Sequence, residues 1–330
     1  MKFILLSLIT LLLALGCLFV GSVSLAPSDV FFALLAGDDG STTAFIVWQH
    51  RLPMVITAIL AGSALAVSGL LLQTAFRNPL AGPSVLGINS GASLGVAIVM
   101  LGLGGSLSVG TLAIGGQGAV IAGAFLGSML VMGILLLLSA ILRNPLMLLI
   151  CGIMVGYLTS SAITLLNFAA DATGSRSYLL WGMSSFSGIP LTSLPLFAIL
   201  TLLGLGCSVF LVKPLNLLGL GDNYAENLGV SIRRVRLLLL FATGLLTAVA
   251  TAYCGPVSFI GLSVPHIARI FFPTDNHRIL LPATLLAGAA VSLGCCLMCV
   301  MGGSQVLPLN AVTPLVGAPV VIYILLKKSA

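Results

Sequence analysis

The chain contains very few charged side chains. Charged residues make up 6% of its 330 residues, whereas 59% are hydrophobic, and the mean hydropathy is +1.24. So few charges cannot cover a soluble globular protein, and no single soluble core could bury so much apolar surface. Apolar runs reach the length of about twenty residues that crosses a hydrocarbon core as a helix. The composition therefore excludes a soluble protein and predicts an all-α, polytopic membrane protein.

The chain also lacks the residues that would let it drive transport by itself. None of its lysines follows a glycine in the Gly-x-x-x-x-Gly-Lys-Ser/Thr pattern, so it has no P-loop for ATP. Its 7 acidic residues all fall in loops or at the ends of apolar runs. Inserting a charge at the bilayer centre costs about 2.5–3.5 kcal/mol of free energy. Ion-coupled carriers therefore keep a charged residue there only where it serves the coupling. These absences disfavour both ATP hydrolysis by this chain and ion-coupled transport.

Neither a metal centre nor a catalytic constellation can be assembled from the sequence. The three histidines, His50, His266 and His277, are far apart, and we expect His266 to hydrogen-bond at a helix end. The 7 cysteines lie within apolar runs, where cysteine behaves as a small hydrophobe. Cys296 and Cys299 form a CxxC pair, but no second pair accompanies it. We therefore predict no catalytic residue, no cofactor and no metal.

The apolar runs divide the chain into ten predicted spans within a single domain, residues 1–330. The first run is longer than the apolar part of a typical signal peptide, so we interpret it as a retained span. Gly and Pro interrupt the chain after the second and seventh spans and predict irregular backbone, which a membrane tolerates only against protein or a wet cavity. The predicted spans are 2–24, 51–76, 92–104, 113–141, 146–169, 190–212, 232–253, a broken eighth at 255–269, 279–300 and 308–326.

Charges at the ends of the spans predict the orientation. With both termini in the cytoplasm, only Arg51 and Arg176 of the 13 Lys and Arg residues fall outside. Because basic residues concentrate on the cytoplasmic side of membrane proteins, this bias supports the ten-span topology. The net charge of +6 is thus a topology signal and not a patch for nucleic acid. The same threading puts four acids outside, the first three in a polar loop at 27–43: Asp29, Asp38, Asp39 and Asp171.

The two halves of the chain share a pattern of small residues. The second and seventh spans each carry a stripe of small side chains followed by a Gly-Pro break. Small residues at this spacing, and the pair Gly123 and Gly127, let membrane helices approach closely. Because the two spans cross in opposite directions, we predict an inverted repeat, as in many transporters. The stripes are Ala58, Gly62 and Ala66 in the second span and Gly244, Ala248 and Ala252 in the seventh.

The most polar stretch of the chain, residues 218–234, lies between spans six and seven. Asp222 or Asn223 can cap the start of a helix there, and Asn223 with Glu226 is close to a capping box. Gly229 can end that helix in the left-handed conformation. We predict a helix of roughly one and a half turns.

This predicted helix carries an apolar face although it lies outside the membrane. Tyr224 and Leu228 are four residues apart and therefore share one side of it. A loop with no partner needs neither caps nor an exposed apolar face. We interpret residues 215–231 as a cytoplasmic surface that another protein grips.

Arg51 and Arg176 are the only external cations in this topology. Each could pair with acids on a protein that docks from outside. Alternatively, each pairs with an acid of the external loops, such as Asp171. The aromatic residues at 178–182, just after Arg176, predict an interfacial segment.

Several strings of residues match a known family over residues 45–326. In the first half they are Arg51-Leu52-Pro53, GSALAVSG at 62–69, Gln73, Asn78-Pro79-Leu80-Ala81, Pro83, Leu86-Gly87 and Gly91-Ala92. In the second half they are Leu220-Gly221-Asp222, Ala225, Leu228-Gly229, GPVSFIGL at 255–262, Val264-Pro265-His266, Arg269 and Gly317-Ala318-Pro319. In these strings the chain resembles the permease subunits of type II ATP-binding-cassette (ABC) importers, the iron-chelate and cobalamin uptake family.

The resemblance implies ten helices per subunit and a homodimer in the cell inner membrane with the pathway at its interface. It also implies two cytoplasmic ATPase subunits and a periplasmic binding protein that delivers a ferric siderophore, haem or cobalamin. Arg51 would pair with a glutamate of that binding protein. The ATPase would grip the coupling residues Gly221, Asp222, Tyr224, Ala225, Glu226, Leu228 and Gly229.

Two positions depart from the family pattern. Met54 stands where the family often has a second arginine, and Val306 stands where it commonly has an acid before the last span. Both departures reduce or relocate the charge available for docking.

An alternative function is a stand-alone secondary carrier or channel. In that case residues 215–231 would form an ordinary loop. Transport by this chain alone, down an ion gradient, would distinguish the alternative from an ABC permease.

Overall fold

The protein is built almost entirely of helices. The computed structural model describes residues 1–37, 40–109, 112–142, 145–300 and 306–329, so Asp38 and Asp39 of the predicted external loop lie outside the described residues. The sheet present in these ranges is a short antiparallel hairpin of β1 (Ser106–Val109) and β2 (Leu112–Gly115).

The first half of the chain contributes seven α-helices. They are α1 (Lys2–Phe19), α2 (Pro27–Ala36), α3 (Thr42–Phe45), α4 (Leu52–Ala75), α5 (Ile88–Ala97), α6 (Gly116–Ile141) and α7 (Pro145–Ala169). A π-helical stretch, Ile46–Arg51, joins α3 to α4, and a second, Ile98–Gly102, extends α5. Helix α2 corrects the prediction of a polar loop at 27–43. Its proline at the first helical position and Asp29 in its first turn are typical of a helix start.

The second half contributes eight α-helices. They are α8 (Ala172–Gly182), α9 (Leu194–Phe210), α10 (Val212–Leu220), α11 (Asp222–Asn227), α12 (Ile232–Cys254), α13 (Ile260–Phe271), α14 (His277–Val300) and α15 (Leu309–Ser329). Helix α8 contains the predicted interfacial aromatic segment, in which the rings of Tyr178 and Trp181 stack with centroids 6.2 Å apart.

Within the described ranges, 6 helices are long and apolar enough to cross a membrane. They are α1, the continuous helix Thr42–Ala75 that contains α3 and α4, and helices α6, α7, α12 and α14. Helices α9 and α10 form a further span if the pair, bent by 48°, is counted as one. The shorter apolar helices α5, α13 and α15 occupy the predicted third, eighth and tenth spans. The prediction of about ten membrane helices is confirmed, and the third and eighth are short because Gly-Pro breaks precede them.

Helices α4 and α12 form the centre of the bundle. Every residue from 61 to 73 in α4 is buried. The hydroxyl groups of Ser68 in α4 and Thr247 in α12 are hydrogen-bonded at 2.9 Å. Helix α4 also packs against α9, α13 and α14, and α12 also packs against α5, α6 and α9. A buried polar bond within apolar surroundings holds the two central helices in one register.

Small residues bring neighbouring helices close together. A Cβ atom added to Gly62 of α4 would lie 2.5 Å from the carbonyl oxygen of Gly288 in α14. A Cβ atom on Gly123 of α6 would lie 2.9 Å from the carbonyl oxygen of Gly95 in α5. Both distances are too short for a side chain, so the close approach requires glycine. The predicted close contacts at Gly62 and Gly123 are therefore confirmed.

The helix contacts of one half recur in the other. Contacts of α4 with α13 and α14 correspond to contacts of α12 with α5 and α6, and α5 packs on α6 and α7 as α13 packs on α14 and α15. Each short helix starts after a residue with positive φ, Gly87 (+76°) before α5 and Phe259 (+65°) before α13. Because Phe259 adopts a conformation that is uncommon without glycine, tertiary packing imposes this break. The predicted internal repeat is therefore supported by the helix contacts, and its inverted orientation stays a prediction.

Candidate functional site

Helix α11 forms the centre of the polar segment between spans six and seven. Its six residues, Asp222–Asn227, are bounded by two glycines with positive φ, Gly221 (+127°) and Gly229 (+82°). Glycine adopts such values more readily than other residues. The predicted short helix and its left-handed end at Gly229 are confirmed.

The start of α11 differs from the prediction. Its N-cap position is Gly221, which has no side chain to cap the helix, and Asp222 is already its first residue. The predicted cap by Asp222 or Asn223, and the capping box with Glu226, are therefore wrong. The reason is that α10 extends to Leu220, so a single residue remains for the turn and α11 begins at once.

Tyr224 and Leu228 form an exposed apolar pair on this segment, because each is 54% exposed. Ala225, next to Tyr224, is fully buried in a cluster that includes Leu218 of α10. Glu226 is exposed. The segment is thus anchored to the bundle through a small residue and presents an aromatic and an aliphatic side chain outward. Exposed aromatic side chains are enriched where proteins bind each other.

Hydrogen bonds attach α10, the helix before α11, to two long helices. The side-chain oxygen of Asn216 accepts a hydrogen bond from the backbone N–H of His277 at 2.8 Å and lies 2.8 Å from the Nδ1 atom of that residue. The Nε2 atom of His277 lies 2.8 Å from the hydroxyl of Thr74. Arg77 donates to the carbonyl oxygen of Leu218 at 3.0 Å. These bonds join α10 to the start of α14 and to the end of α4.

Helix α13 contacts the same end of α4 through polar groups. Arg269 donates to the side-chain oxygen of Gln73 at 2.9 Å, and the amide of Gln73 donates to the carbonyl oxygen of Leu262 at 3.0 Å. The Nε2 atom of His266 lies 2.8 Å from the carbonyl oxygen of Pro79, which confirms its predicted hydrogen-bonding role. The polar network therefore connects three helices of the bundle to the segment that contains α11.

Sequence reasoning missed the connection formed by Asn216, His277 and Thr74. Its hydrogen bonds join residues 61 and 203 positions apart in the chain, so no local pattern indicates them. The signal present in the sequence is only that polar side chains stand at the ends of several apolar runs.

At the other end of α4, Arg51 is buried instead of exposed, with 5% of its surface accessible. Its Nη1 atom donates to the carbonyl oxygens of Leu18 at 2.7 Å and Phe19 at 3.0 Å. Its Nη2 atom donates to the carbonyl oxygen of Val23 at 2.6 Å. Because the last carbonyl groups of a helix lack partners within it, Arg51 satisfies the end of α1. Arg51 thus has a role within the chain, and its contact with a docking protein stays a prediction.

Arg176 lies exposed on α8. Asp171 precedes that helix as its N-cap and accepts a hydrogen bond from the N–H of Gly174 at 3.0 Å. Beside α8, a cavity of about 460 Å³ is lined by residues that include Gln117, Asp171 and Trp181. Polar and aromatic groups thus meet at this end of the bundle.

The two departures from the family pattern, Met54 and Val306, lie next to Arg51. Together with His50 and Arg51 they line a cavity of about 330 Å³. The positions that could carry additional docking charge are therefore apolar, beside an arginine that points inward.

Comparison with known proteins agrees with this geometry. Residues 7–327 match the FecCD transport family. The chain belongs to this family. The match includes the central helices, α11 and the segment that contains Arg51, so the resemblance inferred from the strings of residues is confirmed.

Relatives in the family are named for vitamin B12 import. The chain is 37% identical over 290 residues to the vitamin B12 import system permease protein BtuC of Klebsiella pneumoniae subsp. pneumoniae, a match that covers 85% of this chain and 82% of that protein. It is 36% identical over 334 residues to the protein of the same name from Salmonella typhi, covering 98% and 94% of the two chains.

Solved structures share the fold. A metal-chelate type ABC transporter in an inward-facing conformation has a TM-score of 0.84 and 29% identity, and the match covers 98% of this chain and 97% of that one. PsaBC from Streptococcus pneumoniae, in complex with Fab, has a TM-score of 0.55 and 15% identity over 83% and 90% of the chains, which shows likeness of fold alone.

Family membership establishes the general role of the chain. It is a multi-pass membrane permease of an ABC importer, and ATP hydrolysis belongs to a separate subunit. The absence of a P-loop from the sequence agrees with this division.

Proposed function

We propose that this permease moves a metal chelate, namely a ferric siderophore, haem or cobalamin, from the periplasm to the cytoplasm by ATP-driven alternating access. The observation that carries the proposal is the exposed pair Tyr224 and Leu228. Tyr224 lies on a helix that Ala225 anchors to the bundle, and Leu228 directly follows that helix. Relatives named as vitamin B12 import permeases make cobalamin the first cargo to test. The neighbour described as a metal-chelate type transporter supports the broader class of cargo.

The ATPase subunits would grip the outward face of α11. Aromatic side chains buried at the centre of an interface contribute the largest share of its binding energy, so Tyr224 is the main anchor and Leu228 extends it. The two glycines set the ends of the helix, and the acids orient it by charge. The residues assigned to this contact are Gly221, Asp222, Tyr224, Ala225, Glu226, Leu228 and Gly229.

The connection through Asn216, His277 and Thr74 would transmit the movement of the ATPase. Closure of two ATPase subunits on ATP displaces α10 and α11 together, since one residue separates the helices. The hydrogen bonds of Asn216 to His277, and of His277 to Thr74, then carry the displacement to α14 and α4. Because α4 lies at the centre of the bundle, the displacement reaches both halves of the repeat.

The proposed orientation places both termini and α11 in the cytoplasm and the protein in the cell inner membrane. It rests on the ten-span threading, in which Arg51 and Arg176 alone among the 13 basic residues lie outside. Helix α8 would then face the periplasm, where exposed Arg176 is the candidate contact for a substrate-binding protein.

A second copy of the chain would complete the pathway. Helix α7 exposes Ser160, Ser161 and Thr164 among apolar side chains. Hydroxyl groups on an outward face suit a wet pathway or an interface between helices better than contact with lipid. A homodimer that shares this face would enclose the pathway between its subunits.

Reconstitution into vesicles tests the proposal. Permease combined with its ATPase subunit and a cobalamin-loaded binding protein should accumulate cobalamin only when ATP is supplied. Vesicles without the ATPase, and vesicles with a non-hydrolysable ATP analogue, are the controls. A ferric siderophore and haem, each with its own binding protein, are tested in the same way. Transport by the permease alone along an ion gradient would contradict the proposal and favour a secondary carrier, and ATP-driven uptake of none of the three chelates would contradict the cargo class.

A further inference from the structure

A cleft of about 400 Å³ opens where α9 bends into α10 and α14 begins. Helices α9 and α10 meet beside it at a bend of 48°. Two cations, Lys213 and Arg278, line the cleft, and both are exposed. Three apolar residues, Val209, Leu281 and Pro282, line its remaining walls together with Val212 and the buried ring of His277.

The charge of the cleft is positive from several sources. Lys213 contributes a compact ammonium group, and Arg278 contributes a planar guanidinium group that can bind phosphate oxygens in pairs. Arg278 also lies in the first turn of α14, whose 24 residues direct the positive end of the helix dipole toward the cleft. The acid Asp275 acts on the ring of His277 but is not itself a lining residue, so the two cations of the cleft outnumber one nearby acid.

The apolar walls continue into the outward surface of the bundle. Val209 and its neighbour Phe210, at the end of α9, are both exposed. Leu281 is buried one turn beyond Arg278, so the apolar part of the cleft begins directly behind the charged part. An occupant must therefore combine an anionic group with a hydrocarbon chain. Phospholipids with anionic headgroups have this combination, and basic clefts between membrane helices are sites where such headgroups bind.

We infer that the cleft binds one anionic phospholipid, with its phosphate between Lys213 and Arg278 and an acyl chain against Val209, Leu281 and Pro282. A soluble phosphate would use only the charged half of the site, which is why the apolar half favours a lipid. The inference does not depend on the cargo or on the direction of transport.

The bound lipid would lie beside the connection that joins α10 to the bundle. His277 lines the cleft and is also the central residue of the hydrogen bonds with Asn216 and Thr74. A lipid in the cleft would therefore support the wall from which α10 is held, close to the proposed contact with the ATPase.

Native mass spectrometry of the purified permease tests the lipid site. The protein is equilibrated with micelles that contain equal amounts of phosphatidylglycerol and phosphatidylcholine. We expect one phosphatidylglycerol to be retained per chain in preference to phosphatidylcholine, and the double variant Lys213→Gln/Arg278→Gln to bind it on the order of tenfold more weakly or worse. Equal retention of the two lipids, or unchanged retention in the double variant, would overturn the inference.

Matched variants separate the site from the overall charge of this end of the protein. Arg233→Gln/Arg234→Gln removes the same charge from the exposed start of α12 and should leave retention unchanged. The exchange Lys213→Arg/Arg278→Lys keeps both cations and should retain the lipid. If the α12 variant lost as much phosphatidylglycerol as the Lys213→Gln/Arg278→Gln variant, only net charge would matter. That result would overturn the assignment of the site.

Competition with inorganic phosphate distinguishes a lipid from a free anion. We expect excess inorganic phosphate to leave phosphatidylglycerol bound, since it cannot replace the acyl chain. Complete displacement by phosphate would show that the cleft is a phosphate site and would contradict the assignment to lipid.

Discussion

The two ends of α4 differ in which side chains are exposed and which are buried. Beyond its C-terminal end, α11 leaves Tyr224 and Leu228 exposed although both are apolar. At its N-terminal end, Arg51 is charged and yet buried against the carbonyl groups of Leu18 and Phe19. The 24 residues of α4 separate the two places by about 36 Å along the helix.

The difference depends on where backbone carbonyl groups lack partners. In α11 the chain satisfies its own end, because Gly229 donates to the carbonyl oxygen of Glu226 at 2.9 Å and Val230 donates to that of Ala225 at 3.0 Å. Helix α1 has no such glycine turn at its end, so the guanidinium of Arg51 takes that role. Where nearby backbone N–H groups bind the last carbonyl groups of a helix, the side chains stay available for a partner. Where they do not, a charged side chain binds those carbonyl groups and is buried.

The largest effect is expected from the exposed pair. Tyr224→Ala together with Leu228→Ala removes the anchors of the proposed ATPase contact, and anchors of this kind each contribute about 2 kcal/mol or more. Uptake in reconstituted vesicles should therefore fall by more than about tenfold while the permease stays folded. The control, Phe31→Ala/Phe32→Ala, removes two exposed rings from α2 at the opposite end and should transport normally. Similar losses in both variants would remove the distinction between the two ends.

A large effect on stability is expected at Arg51. Arg51→Met leaves the carbonyl groups at the end of α1 without donors, so the free energy of unfolding should decrease by about 3 kcal/mol. Thermal unfolding in detergent measures this change. The matched variant Arg176→Met should unfold as the parent protein does and should instead weaken the binding of the substrate-binding protein several-fold, chiefly through slower association. If Arg51→Met kept full stability and lost only binding-protein affinity, the structural role assigned to Arg51 would be refuted.

A smaller effect is expected at the end of α11. An alanine at Gly229 meets no atom within 4 Å, but φ there is +82°, so Gly229→Ala should destabilise α11 by roughly 1–2 kcal/mol. Hydrogen exchange of the α11 amides should become faster by about tenfold. Gly219→Ala, which also meets open space and lies in helical backbone, is the control. Equal exchange rates in the two variants would show that the left-handed turn does not hold the helix.

The smallest effect is expected at Asn223. Because Gly221 occupies the N-cap position, Asn223→Ala should change the exchange of the α11 amides by less than the equivalent of about 0.5 kcal/mol. A capping residue would cost about 1 kcal/mol on the same measurement. A change of about that larger size would show that Asn223 caps the helix, as the sequence suggests.

Features that depend on neighbouring residues could be predicted from the sequence. The apolar runs indicate most of the spans, the small-residue stripes indicate the close helix pairs, and Gly229 indicates the end of α11. Features that depend on distant residues could not be predicted. The burial of Arg51 requires that α1 end at Phe19, five residues before the predicted end at 24, and that the chain fold back beside it. The bonds of His277 likewise require the three-dimensional arrangement of α4, α10 and α14.

Photo-crosslinking from position 224 tests the central claim most directly, namely that an ATPase drives this permease through α11. A photoreactive phenylalanine analogue replaces Tyr224, and a second variant carries it at Phe31, at the other end of the bundle. After illumination of the assembled transporter in vesicles, we expect the analogue at position 224 to form an adduct with the ATPase subunit and the analogue at position 31 to form none. An adduct between position 224 and the substrate-binding protein, or an ATPase adduct from position 31, would contradict the account.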